Sequence, residues 1–147
     1  MTLSREHWAF LLAALGGHFM GIPSVFWKEG EAYHRTAIGA QRRRQVFNAE
    51  IIYNLLAMAI EKYFMAFFEA NHVMPDNHTF TDLINSANRL RPLDAVLVAD
   101  LKSLEILQDI CPLYQDTQRR SPTEEQLNRM YDVIERVAAY CRLGMIK

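Results

Sequence analysis

Apolar side chains recur every three or four positions along nearly the whole chain, and a two-residue alternation is nowhere sustained. This spacing places apolar residues on one face of a helix, so the pattern predicts an all-α fold. The chain has no internal repeat and no linker rich in glycine and serine. We therefore expect an up-and-down helical bundle of about five helices.

The first predicted helix covers residues 4–19, with Ser4 as its N-cap. Residues 21–24 predict a connector, and the aromatic stretch at residues 25–30 has no decisive period. The expected domain organisation is an N-terminal helix and connector, residues 1–45, packing on a bundle formed by residues 46–147.

A long helix is predicted from Glu31 to Asn71, and Gly39 marks a bend or a break that would divide it into two. Its second half is apolar on most faces, as in a helix at the centre of a bundle or at a subunit interface. We therefore expect a buried core helix and a homodimer. The charges of Glu61 and Lys62 in mid-segment disfavour a membrane-spanning helix, although its length would suffice.

Two shorter helices follow a loop. Thr79 is the expected N-cap of the first, and Asp82 at the third helical position completes an approximate capping box. Pro92 is expected at the first position of the next helix, because proline is favoured there, and Pro112 would end or kink it.

The last helix has the clearest predicted start. Ser121, Pro122 and Glu124 would occupy its N-cap, first and third positions. Gly144 is expected just beyond its end, where glycine often ends a helix.

The composition restricts the class of protein but indicates no specific chemistry. The chain has 147 residues, half of them hydrophobic, and a formal net charge of -1. That length is typical of one domain, and the charge excludes a strongly basic nucleic-acid-binding domain. Cys111 and Cys141 are too few for a disulfide framework and lie on apolar stripes, so we expect inert thiols in a reduced, cytoplasmic protein.

Familiar catalytic motifs are absent from the sequence. His72 and His78 flank a loop without a further ligand at zinc spacing, and no phosphate-binding loop or nucleophile elbow is present. We expect no metal site and no cofactor. The three consecutive arginines at residues 42–44 spread over about 200° of a helix surface, which favours a solvated helix end over a common groove.

Glu61 and Lys62 each need a charged partner or access to water, because an unpaired buried charge costs several kcal/mol. Arg119 and Arg120 are candidate partners for Glu61. One interpretation is a structural ion pair. The other is a polar cleft in which Lys62, His78 and the two arginines bind a phosphate group, since arginine matches phosphate geometry.

The region from Phe47 to Leu143 resembles the HEPN domain, a small α-helical family. The resemblance lies in a sequence of short motifs: Ala-Ile-Glu-Lys at residues 59–62, the segment from His78 to Leu83, the leucine-rich helix around Leu104 and Leu107, and the turn Arg-Arg-Ser-Pro at residues 119–122. It covers about two-thirds of the chain.

The resemblance implies a helical bundle that often dimerises and is associated with nucleotides or RNA. It also implies a nucleotidyltransferase partner, or an antitoxin in a toxin–antitoxin pair. The family-like polar positions, which are the candidate ligand-binding residues, are Glu61, Lys62, His78, Tyr114, Arg119 and Arg120. The arginine-to-histidine spacing of the ribonuclease branch is absent.

Three hypotheses follow. The first is a non-enzymatic binding module for a nucleotide, RNA or a partner protein. The second is a ribonuclease-like enzyme with a non-standard site made of His78, Tyr114 and the two arginines, which offer a general base and a cation. The third is a purely structural dimerisation or interaction protein.

Overall fold

The computed structural model describes residues 24–108 and 121–146. These ranges contain five α-helices and no strand, so the predicted all-α fold is confirmed. The elements are α1 (Val25–Gln41), α2 (Ala49–Ala70), α3 (Phe80–Leu90), α4 (Ala95–Glu105) with a 3-10 turn at Ile106–Gln108, and α5 (Glu124–Met145). The helix predicted at residues 4–19 lies outside the described residues. So do Cys111 and Pro112.

The predicted long helix is two helices, and its break lies at residues 42–48 rather than at Gly39. The carbonyl of Arg43 accepts the N–H groups of Val46 and Phe47 at 3.0 Å each, which forms a turn. Asn48 then caps α2 by accepting the N–H of Ile51 at 2.9 Å. Gly39 lies inside α1.

The predicted start at Glu31 is also wrong, because α1 begins six residues earlier. Ser24, assigned to the connector, is its N-cap and accepts the N–H of Phe26 at 3.1 Å. Trp27, Ala37 and Ala40 of this helix belong to the hydrophobic core.

The start of α3 is confirmed and that of α4 is corrected. Thr79 accepts the N–H of Asp82 at 3.2 Å and donates its hydroxyl to the Asp82 carboxylate at 2.6 Å. In α4 the N-cap is Asp94, which accepts the N–H of Leu97 at 3.0 Å. Pro92 therefore precedes the helix instead of starting it.

The N-cap of α5 lies two residues later than predicted, at Thr123 instead of Ser121. Thr123 is the N-cap, and it forms a complete capping box with Gln126 through bonds of 3.1 and 2.9 Å. Gly144 lies within α5 rather than beyond it. Its missing side chain makes room for a neighbouring ring, so packing explains the glycine.

Helix α2 is the central element, packed mainly between α1 and α5, with α3 contacting it as well. It is long and apolar enough to cross a membrane, but 61% of its apolar window is buried inside the bundle. The largest side chains of α2 with almost no exposure are Phe64, Phe67, Phe68, Ile52, Leu56 and Ile60. Burial of that apolar surface is the main stabilising contribution to this fold.

Buried tyrosine hydroxyls connect helices that are distant in the sequence. Tyr53 of α2 donates to the carbonyl of Leu104 at 2.9 Å, and Tyr140 of α5 donates to that of Arg91 at 2.6 Å. The bond of Tyr140 satisfies the carbonyl of Arg91, the C-cap residue of α3, and that of Tyr53 adds a bond at the C-terminal end of α4. Burial raises the pKa of Tyr140 to about 12.

Candidate functional site

Glu61 is paired with His78 across the gap between α2 and the loop before α3. Its Oε1 lies 2.6 Å from His78 Nδ1, and the side chains are 23% and 51% exposed. The position of His78 follows from its place next to Thr79, the N-cap of α3. The structure thus gives Glu61 a partner other than the arginines expected from the sequence.

Lys62 is paired with Glu29 of α1. Its Nζ lies 2.7 Å from Glu29 Oε2 and 5.3 Å from the centre of the Phe26 ring. The hydrogen bond to Glu29 raises the pKa of Lys62, against the opposing effect of desolvation. Glu61 and Lys62, the two charges in the middle of the most apolar helix, therefore both have partners, as the ion-pair interpretation requires.

The two pairs lie on adjacent faces of α2, because consecutive helical residues are about 100° apart, and Glu61 is close enough to help raise the pKa of Lys62. Lys62 faces α1, and Glu61 faces the loop before α3. Glu29, Glu61 and Lys62 together carry a net charge of -1, and Lys62 and His78 each already face a carboxylate, so this arrangement does not favour phosphate. We call these residues (Glu29, Glu61, Lys62 and His78) the ion-pair surface.

Tyr114, Arg119 and Arg120 lie outside the described residues, so the proposed phosphate cleft is represented only by Lys62 and His78. Each of these is bonded to a carboxylate.

The C-terminus of α2 has a backbone feature that sequence reasoning missed. His72 has φ 57°, in the left-handed region that favours glycine. The N–H of Val73 donates to the carbonyl of Phe68 at 3.0 Å, and that of His72 donates to the carbonyl of Glu69 at 3.2 Å. These bonds form a Schellman motif, in which glycine usually occupies the position of His72. Because His72 stands where glycine is usual, the sequence does not indicate the motif.

A groove of about 310 Å³ lies between this end of α2 and the start of α1. The hydroxyl of Ser24 donates to the carboxylate of Glu69 at its edge. We call it the apolar groove; its lining residues are Phe26, Met65, Glu69, His72, Val73 and Met74. They come from separate segments, so no local pattern in the sequence indicates this groove.

A second polar network, which runs from the buried Tyr63 to the exposed Glu135, lies where α1, α2 and α5 meet. His34 lies with Nδ1 3.2 Å from the Tyr63 hydroxyl and Nε2 3.2 Å from Glu135 Oε1. Tyr63 is 3% exposed and packs against Trp27, with ring centres 4.6 Å apart. Burial raises the pKa of Tyr63 to about 12. A substrate has no access to this hydroxyl, so the network is structural.

Metal and thiol chemistry have no site among residues 24–108 and 121–146. Within these ranges no group of three or more histidine, cysteine or acidic side chains is placed to hold a metal ion. Cys141 is fully buried, and burial raises the pKa of its thiol well above the usual value. A thiol in that state is a poor nucleophile.

Comparison with models of known protein families, with curated proteins and with solved structures found no match. The likeness to HEPN domains therefore rests on the sequence motifs and on their order along the chain.

Proposed function

We propose that this protein is a non-enzymatic helical binding module that recognises a partner protein through the ion-pair surface. The observation that carries the proposal is the pairing of Glu61 with His78 and of Lys62 with Glu29 on the most apolar helix. Both pairs are partly exposed to water, and ion pairs of that kind contribute only about 0–1 kcal/mol to stability. Stability alone is therefore a poor reason for these charges, and recognition of a partner is a better one.

Charge favours a protein ligand over a nucleotide or RNA. Each cationic or titratable group of the ion-pair surface is bonded to a carboxylate, at 2.7 Å for Lys62 and 2.6 Å for His78. A phosphate would have to displace that carboxylate and would be repelled by it. A protein surface with both donors and acceptors meets no such repulsion.

The resemblance to HEPN domains supports the same role. It makes a nucleotidyltransferase or an antitoxin the proposed partner class, and it supports a homodimer as the binding form. A cytoplasmic location is consistent with a chain that has few cysteines, one of which, Cys141, is buried and free of a disulfide.

The test is quantitative affinity purification of the tagged full-length chain from cells that express it. The double variant Glu61→Gln/Lys62→Gln should lose specific co-purifying proteins at least tenfold. The matched control is Glu125→Gln/Arg129→Gln, which removes an exposed ion pair from α5. It should retain them.

Because the double variant alters a packed helix, its circular dichroism and unfolding midpoint must be compared with those of the parent. The single variant His78→Ala removes a half-exposed side chain and provides a second measurement. Proteins that bind the parent and all variants equally would refute the proposal.

Calorimetric titration with ATP, GTP and a short RNA distinguishes the nucleotide alternative. We expect no heat of binding from any of them. Binding to the parent that disappears in Lys62→Gln would replace the protein-partner proposal with the phosphate-binding one.

One observation favours a ribonuclease as the second candidate. The half-exposed imidazole of His78 is oriented by the Glu61 carboxylate, an arrangement suited to a general base. Incubation with labelled RNA decides the matter. Absence of cleavage, or cleavage unchanged in His78→Ala, eliminates the enzyme.

A further inference from the structure

The apolar groove adjoins the ion-pair surface. Phe26 is shared by both, because its ring forms one wall of the groove and lies under the Lys62 ammonium. We infer that the apolar groove is the docking site for a segment of the partner protein that combines apolar side chains with a lysine or arginine. This inference rests on the proposed function and names where the partner binds and its chemistry.

The residues that line the groove indicate that the partner segment has apolar side chains. Phe26, Met65, Val73 and Met74 supply apolar surface, and Met74 is 76% exposed. An exposed methionine is flexible and polarizable, and such side chains adapt to the shape of a bound apolar group. The volume of the groove is at the small end of the range for ligand sites, which fits side chains of a partner rather than a large cofactor.

The charge at the edge of the groove indicates that the partner segment also has a lysine or arginine. Glu69 is exposed at the edge of the groove and accepts one hydrogen bond, from Ser24. The charge of Lys62 is balanced by Glu29, and Glu69 is the one carboxylate among the residues that line the groove. The groove and its rim therefore have a net negative charge, which complements a lysine or arginine of the partner.

The backbone that carries the walls is held in place before any partner binds, while the Met74 side chain stays free to adapt. The Schellman motif fixes His72 and Val73 at the end of α2, and the bond from Ser24 fixes the start of α1 against Glu69. Walls that are already ordered lose little conformational entropy on binding.

Two other segments could also fill the apolar groove. Residues 1–23 join the described chain at Ser24, beside the groove, but Arg5 and Glu6 are their only charged residues and cancel. A second copy of the chain is the other occupant, and its net charge of -1 provides no overall attraction to the groove. Charge thus favours a separate basic partner.

The experiment uses the full-length chain and two synthetic peptides of 14 residues. Both peptides carry four leucines on one helical face; one has four lysines beside them and the other four glutamates. Fluorescence anisotropy should show about tenfold tighter binding of the lysine peptide. Equal affinity, or no binding of the lysine peptide, would overturn the inference.

Variants locate the binding. Glu69→Gln and Met74→Ser should each weaken the lysine peptide about three- to tenfold. Val96→Ser removes a comparable exposed side chain (62% exposed) on α4, outside the groove, and should change nothing. All three positions are exposed, so the fold tolerates these changes.

If Glu69→Gln and Met74→Ser bind the peptide as the parent does, while Glu61→Gln/Lys62→Gln does not, the groove inference fails and the proposed function stands. If the purification shows no partner that depends on the ion-pair surface, the proposed function fails whatever the peptide does.

A photo-crosslinking amino acid at position 74 identifies the occupant. Crosslinks to the lysine peptide support the inference. Crosslinks to residues 1–23 of the same chain, or to a second copy, that persist in excess peptide assign the groove to that occupant and overturn it.

Discussion

Gly144 of α5 lies against the ring of Phe67 of α2. A Cβ atom at position 144 would overlap Phe67 Cε2 and lie 2.8 Å from Cδ2. Phe67 is 1% exposed, so the ring has no free space into which to move.

Gly144→Ala is expected to destabilise the protein. Overpacking a core typically costs about 1–3 kcal/mol, while alanine gains about 0.5–1 kcal/mol over glycine within a helix. The net loss in the free energy of unfolding should be about 1 kcal/mol, measured by urea denaturation.

Gly39 supplies the matched control. It lies inside α1, and a Cβ atom at this position would have no neighbouring atom within 4 Å. Gly39→Ala should therefore stabilise the protein by about 0.5–1 kcal/mol. A similar gain at both positions would contradict the packing role of Gly144.

His72→Gly is expected to stabilise the protein. A left-handed conformation costs a residue with a Cβ atom about 1–2 kcal/mol, and glycine loses some of that gain through its greater freedom in the unfolded chain. The expected net gain is about 1 kcal/mol, seen as a higher urea midpoint. His72→Ala retains the Cβ atom and should give no gain. Equal effects of the two substitutions would rule out backbone strain as the cause.

Thr123→Ala should lower the free energy of unfolding by about 1 kcal/mol, because it removes half of the capping box of α5. Ser121→Ala should have almost no effect, since Ser121 is exposed and precedes the cap by two residues. Thermal unfolding of both variants checks the assignment. A larger effect at Ser121 would restore the start predicted from the sequence.

Stability should fall as the pH rises above 10. Burial raises the pKa of Tyr140 from 10.0 to about 12, so the unfolded chain loses the proton first and binds fewer protons than the folded one. The contribution of this group is complete below pH 10 and is lost as the pH rises towards 12, by at most about 1.4 kcal/mol per pH unit.

Tyr140→Phe is the control for that titration. It removes the ionising hydroxyl and the bond to Arg91, which lowers stability near pH 7 by about 1 kcal/mol. Its free energy of unfolding should then fall less steeply than that of the parent between pH 10 and 12. Parallel curves would show that Tyr140 does not contribute.

The all-α fold was predictable because helical periodicity persists wherever an apolar face is buried, as in α2 and α5. Helix starts were less predictable. Ser121 with Glu124 and Thr123 with Gln126 both fit the capping-box pattern, but Glu124 is paired with Arg44 and Gln126 completes the box of Thr123. Pro92 satisfied the rule for a first helical position, but Asp94 supplied a better cap.

The charges of Glu61 and Lys62 could be singled out from the sequence because they interrupt an apolar helix. Their partners could not be identified. Glu29 lies 33 residues before Lys62, and only the packing of α1 along α2 brings the two side chains together. The apolar groove was missed for the same reason, since its walls meet only in the folded chain.

The central position of α2 has a consequence for synthesis. Its two main neighbours lie on either side of it in the sequence, and α5 is the last described helix to leave the ribosome. Before α5 is synthesised, one apolar face of α2 has no helix packed against it. The length and hydropathy of α2 would also suffice for a membrane-spanning helix. The nascent chain is therefore most prone to aggregation or mistaken membrane insertion in the interval between the synthesis of residues 70 and 124, when a chaperone is most useful to it.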